Sequence, residues 1–249
     1  MSEDACYRNL FTGLDVETPL LDGTSRPYIN LDNAASTPAF KAVENAVIDF
    51  LRYYSSVHRG TGFKSQLSTH AYEDARRRVT AFVGADPEEH TCIFGKNTTE
   101  MINRLAKRAL TGGERDLVVV STMEHHSNDL PWRGVGNVVH IGVTADGRLD
   151  LADYERILKA DGKRIALVAV TGASNVTGFI NPIHQMAEQA HAAGAQIAVD
   201  CAQLAPHRRV RMGPLSDPAH LDYTVISAHK LYAPFGTGAL VGRRDLFEQ

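Results

Sequence analysis

The chain predicts an α/β fold, a mostly parallel sheet flanked by helices, on two observations. Short apolar runs of strand length alternate with longer stretches of helical periodicity, which is how a parallel sheet covered by helices reads in sequence. Polar residues also gather just past the ends of those runs, where open α/β sheets bind their ligands. The strand candidates are residues 28–31, 91–94, 117–120, 138–141, 165–170, 196–199, 223–226 and 239–241.

Helices fill most of the intervals. Residues 39–53 and 69–83 carry helical periodicity, and Gly84 stops the second because a left-handed terminal cap favours a residue without a side chain. Asn97 with Glu100 three residues on resembles a capping box, followed by an apolar face of Met101, Ile102, Leu105, Ala106, Ala109 and Leu110. Thr111, Gly112 and Gly113 close that helix. Another runs over 151–159, and the next opens with Asn181 as cap and Pro182 as first residue before closing at Gly194. The expected order is strand, helix, strand throughout.

Composition excludes several classes of function. With 249 residues, 43% hydrophobic and 22% charged, the chain is globular and large enough to bury a substantial core. A net charge of -3 with interspersed signs gives no electrostatic footprint for nucleic acid or an anionic membrane. The start lacks the basic and apolar segments of a secretory signal, and the longest aliphatic runs are far too short to span a bilayer, so the expected location is cytoplasmic. Cys6, Cys92 and Cys201 form an odd set without metal-like pairing, so reduced thiols are expected, with Cys92 a small buried hydrophobe in a strand.

Five strand ends carry the polar residues that could do chemistry: Thr98 and Thr99; His125 and His126; Asn175; Asp200 and Gln203; His229 and Lys230. Thr98 and Thr99 sit in the first turn of a helix, where unpaired N–H groups attract a phosphate, although ordinary capping accounts equally for such a sequence. Ser227 and His229 add donors at a second rim position. The histidine pair 125/126 admits zinc, a surface pair, or one imidazole stacked on an aromatic cofactor; no Cys or His cluster with ligand spacing completes a site, and no metal is expected. Asp200 ends a strand either to cap the following turn or to pair with a pyridinium N–H. Lys230 is either a solvated loop lysine or a cleft amine able to form a Schiff base with the aldehyde of pyridoxal phosphate. Gly236 and Gly238 precede a strand instead of opening a helix, which excludes a dinucleotide fingerprint.

The motifs NLDNAAST (30–37), SSVHRG (55–60), NTTE, MEHHSN, ASNVTG, VDCAQ and ISAHKLYAPFGTG, taken in order, resemble the class V aminotransferase family of fold-type I pyridoxal phosphate enzymes. They are most like those of cysteine desulfurases and selenocysteine lyases. The resemblance runs from about residue 28 to the end. It implies a large cofactor-binding domain over 28–249, preceded by an extension over 1–27. It also implies that Lys230 carries the cofactor imine, Asp200 pairs with the pyridine nitrogen and His125 stacks on the ring. Asn175 and Gln203 would contact the ring oxygen, and Thr98, Thr99, Ser227 and His229 would hold the phosphate. Ala34, Ala35, His58 and Arg59 would line the substrate side, the last two reaching a neighbouring subunit's site. A homodimer, an amino-acid substrate and a sulfur acceptor protein follow by the same analogy.

Two departures bear on activity. The family continues through a small C-terminal domain that supplies an arginine for the substrate carboxylate and, in desulfurases, a cysteine nucleophile; that domain is expected to be absent here, and none of Cys6, Cys92 or Cys201 matches the nucleophile. After His58, Arg59 and Gly60 come Thr61, Gly62 and Phe63, where close desulfurase relatives carry another histidine. Cysteine desulfurase-like C–S cleavage is therefore set beside an alternative, a truncated or split member that binds cofactor without turnover.

Overall fold

The computed structural model describes residues 7–110 and 115–247, which fall into two compact units. One comprises the chain up to Asp74 with Ala228–Gly236; the other comprises Ala75–Ser227 with the chain from Thr237 onward. The expected helix stop at Thr111, Gly112 and Gly113 and the thiol of Cys6 lie outside the described residues.

The larger unit is built on a seven-stranded sheet. Its strands are β3 (His90–Gly95), β4 (Leu117–Ser121), β5 (Asn137–Ile141), β6 (Ile165–Thr171), β7 (Gln196–Asp200), β8 (Tyr223–Ser227) and β9 (Gly238–Arg243), in the order β3-β9-β8-β7-β6-β4-β5. All neighbours are parallel except β9, which runs antiparallel to both β3 and β8. Six strands therefore point one way. Five of these runs extend to a polar or glycine residue beyond the last apolar one, at Gly95, Ser121, Thr171, Asp200 and Ser227.

Alternation along the strands decides what each face buries. Val118 and Val120, Leu167 and Ala169, Tyr223 and Val225, and Leu240 form one core with Met101, Ile102, Leu105 and Ala106 of α3 (Thr98–Ala109) and with Trp132 of the short α4 (Leu130–Arg133). The intervening Val119, Val168 and Ile197 are equally buried. Helix α6 (Ile183–Ala192) packs on β6 and β7, and α5 (Leu151–Asp161) on β5. Tyr154 of α5 is fully buried and donates its hydroxyl to the Met186 carbonyl at 2.9 Å, which ties the two helices together.

Caps explain the boundaries. Asn97 Oδ1 accepts the Glu100 N–H at 2.9 Å as expected, but Glu100 returns its carboxylate to the Lys96 N–H, one residue before the position a capping box uses. Asp150 caps α5 by accepting from the Asp153 N–H. At α6 the expected cap is corrected: Pro182 holds the cap position without a side-chain bond. Asn181 is buried and donates its amide to the Thr171 carbonyl at 2.8 Å. Gly84 and Gly194 adopt φ of +63° and +75°, the left-handed stops the sequence called for.

In the smaller unit, β1 (Glu17–Pro19) and β2 (Ser25–Pro27) form a hairpin, followed by α1 (Lys41–Leu51). The strand expected over 28–31 is not formed. Tyr28, Ile29 and Leu31 lie exposed; Tyr28 still donates its N–H to the Val16 carbonyl at 2.8 Å beside the hairpin, but the run goes no further as a strand, and apolar character without a neighbouring strand does not make sheet. Helix α2 (Phe63–Phe82) starts six residues earlier than its periodicity indicates. Its first turns use hydroxyls for tertiary bonds: Ser65 Oγ donates to the Ser56 carbonyl, and Ser68 Oγ accepts from the Ser55 N–H. Among the described residues no helix is long and apolar enough to cross a membrane.

Candidate active site

Sheet register aligns the functional strand ends. Gly238 pairs with Gly95 on one side and Ser227 on the other, while Asp200 pairs with Thr171 and Val225. Because β3, β4, β6, β7 and β8 are parallel, Thr98, His125, Asn175, Asp200, Gln203 and Ser227 all follow strand ends along one edge of the larger unit.

Thr98 opens α3 and is 5% exposed; its Oγ1 is buried without a hydrogen-bond partner. A buried hydroxyl in that state costs free energy unless something binds it. The first-turn N–H groups of the helix lack intrahelical acceptors, so an anion would find both. Thr99 beside it is exposed. The backbone approaches closely here as well, since a Cβ at Gly238 would meet Asn97 Cα at 2.7 Å. Ser227 is buried at the end of β8. A phosphate fits this donor set: an orphan hydroxyl, a helix N-terminus and a glycine that keeps the approach open.

Asp200 is 5% exposed, and its Oδ1 accepts the Ala202 N–H at 2.9 Å, so the turn-capping role read in the sequence exists. Gln203 is buried in that turn. Asn175 is exposed in a turn held by Ser174, whose Oγ accepts the N–H groups of Val176 and Thr177. His125 and His126 are both exposed, with ring centroids 6.2 Å apart. Nδ1 of His125 accepts the Ser127 N–H at 3.1 Å, which leaves the ring proton of the neutral form on Nε2.

Glu124, which the sequence reading passed over, holds three of these segments together. Its Oε1 lies 2.5 Å from Ser121 Oγ at the end of β4 and accepts the Thr171 N–H at the end of β6 at 2.9 Å. Its Oε2 accepts Asn128 Nδ2 at 2.7 Å, and Asn128 Oδ1 in turn accepts the indole N–H of Trp132. Burial pushes the carboxyl up to about 8 despite these donors, and the negative charge of Asp200 adds to the rise. The only available signal was an acid directly before the histidine pair.

In the smaller unit, Lys230 ends a 3₁₀ turn, Ala228–Lys230, and is partly exposed. Thr37 holds this turn: its N–H and Oγ1 both lie 3.0 Å from the His229 carbonyl, and its Oγ1 accepts the Tyr232 N–H at 2.9 Å. Phe11 stacks on Phe40, and Tyr232 packs tilted against both, with centroids 4.8–5.5 Å apart. Burial, then the Lys230 charge, holds the His229 imidazole below its usual range. Ala34 lies in an exposed turn; Ala35 lines a hollow with Asn30, Asp32 and Thr37, whereas His58 and Arg59 line a different one with Thr69 and Glu73. His58 has φ of +57° and pairs with Glu73 at 2.9 Å.

A mostly parallel seven-stranded sheet flanked by helices, with an anion-ready helix start on its strand-end rim, is the architecture of the fold-type I pyridoxal phosphate enzymes. The chain belongs to the aminotransferase class-V family, whose profile matches residues 29–249. It is similar to a cysteine desulfurase of Haloferax volcanii (36% identical over 246 residues, 95% of this chain and 56% of the relative). Another, from Serratia proteamaculans, is 38% identical over 245 residues, 94% of this chain and 58% of the relative. Among solved structures, the apo cysteine desulfurase of Thermococcus onnurineus aligns with a TM-score of 0.75 at 34% identity, covering 87% of this chain and 54% of the other. A cysteine desulfurase of Escherichia coli aligns at 0.78 and 29% identity, covering 100% and 60%. The chain thus spans little more than half the length of the relatives it matches.

Proposed function

We propose that this chain is the cofactor-binding part of a pyridoxal phosphate enzyme that acts on an amino acid, with cysteine desulfurase-like C–S cleavage as its reaction. The observation carrying the reading is the orphan hydroxyl of Thr98 on the same strand-end row as the buried Asp200. When bound, pyridoxal phosphate supplies an aldehyde that condenses with amines and a ring that accepts electrons.

The residues divide the remaining work. Thr98, Thr99, Ser227 and His229 hold the phosphate, Asn175 and Gln203 bond the ring oxygen, and Asp200 keeps the ring nitrogen protonated. His125 stacks on the ring and carries its proton at Nε2. Lys230 anchors the cofactor through Nζ and then moves the proton at the substrate Cα. Ala34, Ala35, His58 and Arg59 belong to the substrate side. Exposed Val47, Ile48 and Leu51 lie on one face of α1, an apolar surface that fits burial in a homodimer; a sulfur acceptor protein completes the partners. The buried free thiols Cys92 and Cys201 suit a reducing, cytoplasmic setting.

The test is spectroscopic first. Purified protein given pyridoxal phosphate develops a visible absorption band, and Lys230→Ala does not; a protein that ignores the cofactor ends the proposal. Formation of alanine from cysteine, with the sulfur released as sulfide by an added thiol reductant that is oxidised to its disulfide, then separates turnover from cofactor binding alone.

A further inference from the structure

His191, in the last turn of α6, and His220 and Asp222, just before β8, place their ligating atoms within 4.8 Å of one another. They sit at the amino ends of β7 and β8, the edge of the sheet opposite the cofactor rim. His191 Nε2 is 2.9 Å from Asp222 Oδ2, and His220 Nε2 is 3.4 Å from Oδ1. The edges of a tetrahedral zinc site with N and O ligands are about 3.3 Å.

The outer hydrogen bonds orient both rings as metal ligands are oriented. His191 Nδ1 lies 2.6 Å from the Pro218 carbonyl, and His220 Nδ1 lies 2.6 Å from the Asp217 carbonyl. A carbonyl only accepts, so each Nδ1 bears a proton; the 2.9 Å contact of His191 with Asp222 is then a hydrogen bond only while Nε2 is protonated as well, and loss of that proton turns an Nε2 lone pair toward the carboxylate. His220 is 8% exposed, and its Nε2 is buried without a hydrogen-bond partner.

Protonating both rings instead would stack two positive charges, since the ring centroids are 4.1 Å apart with planes at 20°. One cation satisfies all three atoms without that repulsion. Asp222 is fully buried, and its Oδ2 also accepts the Ile197 N–H at 2.8 Å, which fixes the carboxylate at the mouth of β7. Arg243 touches Oδ1 at 3.3 Å but keeps Asp245 through Nε at 3.2 Å and Nη2 at 2.8 Å, so it retains a carboxylate when Asp222 turns to an ion. The His191 side chain is 18% exposed and gives an entry path.

We propose that His191, His220 and Asp222 bind a divalent transition ion with nitrogen and oxygen preference, zinc foremost, with water as fourth ligand. The ion clips α6 to the start of β8. Binding displaces to solvent any proton held on either Nε2. Sequence reading gave no hint of it, because the three ligands come together only when α6 returns to the sheet.

The experiment titrates tag-free, chelator-treated protein with zinc by calorimetry, beside the variants His191→Gln and His220→Gln. One equivalent per chain is expected, with a raised melting temperature, and affinity falls at least about tenfold in each variant. Absence of stoichiometric binding, or variants that bind as the parent does, overturns the site. Cobalt substitution into the parent protein covers the case in which a variant fails to fold. Intense visible ligand-field bands support the site, whereas the weak spectrum of hydrated cobalt, or a near-ultraviolet thiolate band placing the ion on cysteine, refutes it.

Discussion

Gly238, the first residue of β9, lies so close to Asn97 that a Cβ at position 238 would stand 2.7 Å from the Asn97 Cα and 2.8 Å from its carbonyl oxygen. Both are backbone atoms of the residue that caps α3, so nothing there can rotate away. Gly238→Ala should therefore push the start of α3 outward and cost about 2 kcal/mol of stability by overpacking. Denaturant unfolding measures the loss. Gly142→Ala, whose added Cβ meets its nearest neighbour at 3.6 Å, serves as the neutral comparison.

Thr98→Val separates the two demands on that residue. It keeps the shape and removes a buried hydroxyl that has no partner, so the unliganded protein should be at least as stable as the parent. Affinity for pyridoxal phosphate should fall about tenfold, the worth of one hydrogen bond to a charged group. Thermal melts without cofactor and an absorbance titration with it give the two numbers. A variant equal to the parent in both would remove Thr98 from the phosphate set.

Glu124 makes stability depend on pH with a definite sign. In the unfolded chain it ionises near its ordinary value of 4.5, and in the fold near about 8. Between those values the folded state binds the extra proton. Its stabilising contribution is thus complete below 4.5 and is lost as pH rises toward 8, at no more than about 1.4 kcal/mol per pH unit. Glu124→Gln should flatten that slope, as read by denaturant midpoints across the window. A slope unchanged by the substitution would mean the carboxyl titrates normally.

Trp132 is the sole tryptophan of the chain, is fully buried, and bonds through Asn128 to Glu124, next to His125. Its fluorescence should fall by more than half when pyridoxal phosphate binds, by energy transfer to the cofactor. Emission that stays constant under saturating cofactor would place the binding elsewhere.

How far the sequence led can be judged from particular residues. The seven strands of the larger sheet were readable because each has an apolar run between turn signals, yet every one was read a residue or more short. Ser121, Thr171, Asp200 and Ser227 are strand residues whose ladder bonds do not register in hydropathy. Tyr28, Ile29 and Leu31 were misread for the converse reason, since apolar composition does not reveal whether a partner strand exists. The candidate site residues stood out in the sequence by their position after the runs. Glu124 and Thr37 did not, because what distinguishes them is whom they bond across the fold, and Asn181 was given a local role when its amide serves Thr171.

One reversed strand shapes the economy of this architecture. Linking two parallel neighbours takes a crossover of a dozen or more residues, usually a helix. By turning back antiparallel beside β8, β9 lets the chain pass from Ser227 to Gly238 through residues 228–237 alone. Lys230 consequently falls in a connection of only ten residues, flanked there by His229 and Tyr232, both of which bond Thr37.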